Sequence, residues 1–177
     1  MAAPTSAPRR ISGLLQKLIL FGLFVAVQHG ATLPTVEAQT QEALTPRDFV
    51  IDVLDDGMDS ALVRRVMGDP DSASIEENPF DTGAKLITWV YRDLEVHFAS
   101  TNHVVGLAIT GARVRTHRGL SVGDSATRVL DLYGEPSGRY EGTWDYSDPA
   151  DRHGLHVLRV RIENGKVRWI YAGWLLD

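Results

Sequence analysis

A chain of 177 residues has room for one ordinary domain or two very small ones, and it is long enough to bury a core. With 44% hydrophobic and 23% charged residues it sits near the globular average, which excludes wholesale disorder and fibrous architectures. A formal charge of -5 and a pI near 5.6 argue against a surface that coats nucleic acid, and the absence of cysteine excludes disulfides, thiolate zinc sites, iron–sulfur clusters, thiol catalysis and a lipid-modified N-terminal cysteine.

Taken in chain order, Arg9, Arg10 and Lys17 precede an uncharged run from Leu18 to Val27. A polar stretch with one proline then leads to Val36-Glu37-Ala38, a small-x-small cleavage signal, so residues 1–38 read as a secretory signal peptide. Ten apolar residues at ~1.5 Å each fall short of a ~30 Å hydrocarbon core, which makes an uncleaved anchor the second reading. Ile11-Ser12-Gly13 after the arginine pair does not fit twin-arginine export. Residues 39–44 read as a flexible leader. The expected mature chain is exported to the periplasm or the extracellular space, has no integral membrane span and carries no cysteine for a lipid anchor.

Shifting the sequence by 66 residues lays 57–70 on 123–136, with identities at Gly57/Gly123, Val63/Val129, Gly68/Gly134 and Pro70/Pro136. Composition alone gives roughly one match in such a window, so the pattern reads as an internal repeat. Each copy has helix punctuation: Asp59/Ser60 and Asp124/Ser125 to accept the first N–H groups, Gly68 and Gly134 to end the helix, and Pro70 and Pro136 to forbid continuation. Val63, Val66 and Met67 in one copy, and Val129, Leu132 and Tyr133 in the other, form a narrow apolar stripe that must lie on a sheet.

Period-two alternation downstream predicts strands through Trp89–Tyr91, Leu94–Phe98 and Val105–Ile109, and again through Trp144–Tyr146, Leu158–Ile162 and Val167–Tyr171. Asn164-Gly165 is a strong hairpin signal. Thr45, Pro46 and Asp48 suit the start of a further helix over 45–55, with a strand through Phe49–Val53 as the alternative. Arg113-Val114-Arg115 alternates like a strand that ties two sheets together. The expected fold is α+β, in two tandem units over 45–110 and 111–177. Each unit packs one or two short helices on an antiparallel sheet of about four strands.

The string Gly123-Asp124-Ser125, Val129, Tyr133-Gly134 and Pro136, followed by Trp144-x-Tyr146 and an alternating hairpin, resembles the SmpA/OmlA (BamE-type) family of outer-membrane assembly lipoproteins. Two such units in tandem resemble the β-lactamase-inhibitory-protein fold, whose unit is a helix–loop–helix against a four-stranded antiparallel sheet. The resemblance covers roughly residues 46–173 and rests on short structural motifs. It implies a protein-binding role in the cell envelope, in assembly or as an inhibitor.

Gly123-Asp124-Ser125 matches the nucleophile block of some serine esterases, yet it falls at a predicted helix start, with Ala126 next and no Asp-x-x-His block for the base. His153-x-x-His156 with Asp148 and Asp151 offers imidazole and carboxylate ligands for a divalent cation, but SDPADRHG is also ordinary turn chemistry, and no metal or cofactor is expected. The pairs Trp89/Tyr91, Trp144/Tyr146 and Trp169/Tyr171 are expected on the core side, with an exposed recognition strip as the alternative.

If Leu158, Val160 and Ile162 point inward with Val167 and Trp169, then Arg159, Arg161 and Arg168 share the outward face. These arginines are the candidate partner-binding residues, suited to an acidic protein segment or an anionic envelope polymer. Gly57, Gly68, Pro70, Gly123, Gly134 and Pro136 are structural repeat positions. The expected function is a non-catalytic exported binding module whose partner is an envelope or secreted protein, assisting envelope or outer-membrane protein assembly. The alternatives are an inhibitor-like protein that binds an extracytoplasmic enzyme, with Asn78–Gly83 as a protruding loop, and a hydrolase using Ser125.

Overall fold

The computed structural model describes residues 43–77 and 83–175. The expected signal peptide (1–38), residues 39–42 of the leader and residues 78–82 of the Asn78–Gly83 loop lie outside the described residues.

Pro46–Phe49 forms a single 3₁₀ turn, started by the fixed φ of Pro46 and by Asp48, whose Oδ2 accepts from the backbone N–H and hydroxyl of Thr45 at 2.8 and 3.0 Å. No strand follows it; Ile51 makes only isolated bridges to Leu54 and Thr116. Helix α1 (Ser60–Met67) begins where the Asp59 carboxylate accepts the Leu62 N–H at 2.7 Å and stops at Gly68, φ 81°. Helix α2 (Ala126–Tyr133) begins where Ser125 Oγ accepts the Arg128 N–H at 3.1 Å and stops at Gly134, φ 70°. Left-handed φ favours glycine, and the proline two residues on blocks another turn. Gly57 and Gly123 also have positive φ, and their N–H groups bond Val104 and Val167 carbonyls at 2.7 and 2.8 Å, pinning the start of each helix to a strand.

Eight strands follow: β1 (Ser72–Glu77), β2 (Lys85–Tyr91), β3 (Leu94–Phe98) and β4 (Val104–Ile109) after α1, and β5 (Gly138–Tyr140), β6 (Thr143–Ser147), β7 (His156–Glu163) and β8 (Lys166–Trp174) after α2. Asn164 and Gly165, with φ 51° and 71°, make the β7–β8 turn that needs positive φ at both central residues. The strands form one antiparallel sheet in the order β1-β2-β3-β4-β8-β7-β6-β5.

This corrects the expectation of two tandem units, each with its own four-stranded sheet. β4 and β8 pair directly, Gly106 with Gly173 through to Ile109 with Ile170, so the ladder runs unbroken from one edge to the other. The buried residues likewise make one core, in which Phe49, Val63, Val129 and Tyr133 lie with inward strand residues such as Val96 and Ile170. Arg113-Val114-Arg115 is not a strand; it belongs to the connection between β4 and α2.

Several polar groups under the sheet are paired. The Tyr91 and Tyr146 hydroxyls donate to the Gly68 and Gly134 carbonyls at 3.1 and 3.0 Å, and burial pushes both phenols above their ordinary value. Asp48, with no exposed surface, receives the Arg118 guanidinium on both oxygens, at 2.6 and 2.8 Å. Arg118 also donates to the Leu132 and Ala43 carbonyls and lies over the Tyr133 ring. Burial alone raises a carboxyl, but the bonds from Arg118 and Thr45 outweigh it and hold Asp48 below the usual range. The Tyr133 hydroxyl donates to Thr116 Oγ1 at 2.7 Å, and burial pushes its pKa up to about 12. Among the described residues no helix is long and apolar enough to cross a membrane.

Candidate functional site on the open sheet face

The helices and the connecting segments cover one face of the sheet. Alternation sends Arg159 and Arg161 of β7, and Thr143 and Asp145 of β6, to the other face, because Leu158 and Val160 between them are fully buried. Trp169 stands opposite Arg161, and Tyr171 opposite Arg159. These two aromatics are therefore on the arginine face, not on the core side where the sequence pattern put them. The cause is a register shift between Arg161 and Ile162: Val167 pairs with Ile162 and turns in, Arg168 is the extra residue, and Trp169 emerges on the opposite face. Trp89, Tyr91, Trp144 and Tyr146 do lie on the core-side register, across from Val96, Leu94, Val160 and Leu158.

The Trp169 and Tyr171 rings stack, with centroids 5.7 Å apart and planes 18° apart. Tyr171 lies flat over the β4–β8 seam. A Cβ placed on Gly106 would stand 2.2 Å from its hydroxyl oxygen, so only glycine leaves room for the ring there. The Tyr171 hydroxyl donates to the Trp174 carbonyl. His97 completes the row 6.0 Å from Tyr171; burial lowers its pKa below the ordinary value, and its Nδ1 is 3.0 Å from Thr88 Oγ1.

Two shallow clefts flank these rings and share Arg159 and Trp169. One, of about 250 Å³, is walled by Leu86, His97, Tyr171, Trp174 and Leu175; the other, of about 330 Å³, by Tyr140, Thr143, Asp145 and Arg161. Together they form an aromatic groove across the strands.

The three predicted arginines differ in their surroundings. Arg159 forks onto Asp145, with Nε–Oδ1 and Nη2–Oδ2 both at 2.8 Å, and this internal pair is rigid and planar. Arg161 reaches Glu163 at 3.3 Å and Thr143 Oγ1 at 3.3 Å, and Arg168 reaches the same Glu163 at 3.8 Å. Their side chains are 42% and 54% exposed. Lys166 is across the turn from that carboxylate. Two arginines thus share Glu163, and their contacts are long and solvated.

His153 and His156 are not brought together as a cation site, and among the described residues no cluster of three or more His, Asp or Glu could hold a metal. The His153 N–H is one of three backbone donors to Asp151, an arrangement that holds this carboxyl below its usual range. His156 is only 7% exposed, stacked between Phe49 (3.7 Å) and Trp174 (4.6 Å), with Nδ1 2.8 Å from Asp148 Oδ2. Asp148 belongs to the SDPADRHG segment, but Phe49 and Asp56 lie about a hundred residues away, and the turn pattern gives no signal of the burial. Ser125 Oγ serves as the α2 cap.

No family model matches the chain, and no curated protein matches it. Among solved structures it is similar to an extracellular protein containing an SCP domain from Bacillus anthracis str. Ames, at 15% identity and a TM-score of 0.46, over 78% of this chain and 49% of that one. The chain spans about half the length of that protein.

Proposed function

We propose that the protein is a non-catalytic, exported binding module of the cell envelope that receives an acidic protein segment in the aromatic groove of the open sheet face. One observation carries this reading. Two solvated arginines share the single carboxylate of Glu163, with Lys166 at the facing strand position, beside a groove floored by the stacked Trp169 and Tyr171. The unbalanced positive charge suits carboxylates, and the rings and Leu86 suit the apolar residues between them. Export rests on the Arg9-to-Ala38 pattern, and the SmpA/OmlA resemblance gives envelope assembly as the setting.

The test uses the purified protein and a fluorescent, end-blocked hexapeptide of alternating Asp and Leu, with a Lys-Leu peptide as control. The acidic peptide should bind in low salt and the basic one should not. Combined Arg161→Glu and Arg168→Glu should weaken binding by about tenfold or more, on the order of 1.4 kcal/mol. Equal affinity of wild type and the charge-reversed variant refutes the reading.

A partner that is itself an enzyme is the second reading, favoured by the exposed aromatic pair Trp169 and Tyr171. In that case an enzyme recovered with the protein loses activity when wild type is added and keeps it with Trp169→Ala; equal inhibition by both sinks this version.

A further inference from the structure

Trp174 touches the groove through its main-chain carbonyl, while its indole lies on the helix-covered side of the sheet against a buried histidine. Its indole Nε1 donates to Asp56 Oδ2 at 2.9 Å, its ring stacks on His156 with planes 19° apart, and its carbonyl accepts the Tyr171 hydroxyl. His156 Nε2 faces the same Asp56 oxygen at 3.3 Å, off the line of a hydrogen bond, while Nδ1 makes the aligned 2.8 Å bond to Asp148. One imidazole thus sits between two carboxylates, and Asp56 Oδ2 joins it to the indole.

Resting on the groove as the binding site, we propose that His156 is its positioning residue: the imidazolium holds Asp56, Asp56 holds the Trp174 indole, and loss of the ring proton releases the strand end whose carbonyl anchors Tyr171 on the groove floor.

The chemistry of the ring dictates the direction. As imidazolium, both nitrogens donate, one to each carboxylate. As neutral imidazole only one N–H remains, and the shorter bond to Asp148 keeps it on Nδ1. The Nε2 lone pair then opposes the Asp56 carboxylate at 3.3 Å. Asp56 moves off, and the indole it accepts from moves with it. The groups that face the ring are Phe49 from the 3₁₀ turn, Asp56 from the following loop, Asp148 from the β6–β7 loop, and Trp174 from β8. Asp151 takes the backbone N–H of His156, and Asp48 is committed to Arg118, so neither competes for the ring. Burial works against the charge, but the bond to Asp148, the close contact with Asp56 and the two carboxylate charges outweigh it and raise the imidazole above its ordinary 6.5; the His156 contact is the main cause that lowers Asp56.

The experiment follows the Trp174 indole ¹H–¹⁵N resonance, assigned with Trp174→Phe, and the His156 ring resonances, from roughly pH 5.5 to 8.5, the range in which histidine titrates. The expected result is a His156 midpoint above 6.5, with the Trp174 signal moving at that same midpoint, and a lower midpoint with a flat indole signal in Asp56→Asn. The Asp-Leu hexapeptide should bind about 5-fold more weakly above the midpoint than below it, the low end of site-to-site coupling. A Trp174 signal that ignores the His156 titration, or peptide affinity unchanged across it, overturns the proposal. If the peptide binds at no pH while the indole still titrates with His156, the acidic-segment reading fails and the positioning role stands.

Discussion

Replacing Arg118 with methionine keeps most of the side-chain volume and removes the charge that answers Asp48. In the folded chain that carboxylate has no exposed surface and takes both of its strong bonds from the guanidinium, so the variant leaves it with Thr45 alone. The orphaned buried charge costs about 3–5 kcal/mol. On a domain worth about 5–15 kcal/mol this is a large fraction. Urea denaturation followed by circular dichroism at pH 7 should show the midpoint falling while the slope stays constant. The pH dependence identifies the cause. In wild type the Asp48 pKa is depressed, so its stabilisation is present above the unfolded value of about 3.9 and is lost as pH falls through the lower folded value. Without Arg118 only burial and Thr45 remain, so acid neutralises a charge that is already costly and the gap between variant and wild type must narrow toward pH 4. Adding Asp48→Leu to Arg118→Met should recover part of the loss, because a well-packed apolar pair removes the desolvation penalty. A loss below ~1 kcal/mol at pH 7, or a gap that does not shrink in acid, refutes this account.

Gly68→Ala is a clean test of the left-handed helix end, since φ is 81° and a Cβ there meets nothing within 4 Å; a loss of about 1 kcal/mol in urea is expected, and no loss disproves the strain. Gly106→Ala drives a Cβ into the Tyr171 ring and should cost about 1–3 kcal/mol, but far less in a Tyr171→Ala background, a coupling that a double-mutant cycle reads directly. The His156–Asp56 contact contributes stability that is fully present below the unfolded histidine value of about 6.5 and lost as pH rises through the higher folded one, while its Asp56 part is lost as pH falls through the depressed folded value. Urea midpoints across pH should therefore decline on the alkaline side in wild type and less so in Asp56→Asn; parallel curves exclude the contact as a source of stability. Residues 39–110 expressed alone should lack a cooperative thermal transition, because β4 would become an edge and the core would lose Leu120, Val129 and Ile170; a sharp melt of that fragment refutes the dependence.

Local signals were readable and distant ones were not. Asp59, Ser125, Gly68 and Gly134 act within four residues of themselves, and the helix ends lie where those residue types put them. Asn164-Gly165 likewise decides its own turn. The join of β4 to β8 is a pairing between segments more than 60 residues apart with no composition of its own, so the chain read as two sheets. Parity was lost at single residues. The extra residue at Arg168 sends Trp169 and Tyr171 outward, and the shift near His97 and Phe98 puts Val104, not Val105, on the buried side. Asp48–Arg118 and Asp56–His156 link positions whose separation in sequence carries no pattern, and such pairs are visible only once the sheet brings them together.

These two long-range pairs bracket one stretch of chain. Asp48 is held by Arg118 and Asp56 by His156 and Trp174, and between them Ile51 and Leu54 are fully buried under the sheet. A cysteine-free chain thereby fixes this segment without a covalent staple, using charges whose partners come from the β4–α2 connection and from β7 and β8. β8 is the strand on which the demands converge. It closes the seam against β4, carries Trp169 and Tyr171 on its open side and ends at Trp174, so the groove and the buried clamp cannot move independently. Because packed cores shift between discrete arrangements and do not deform smoothly, a proton lost at His156 has a direct mechanical route to the groove through that one strand end.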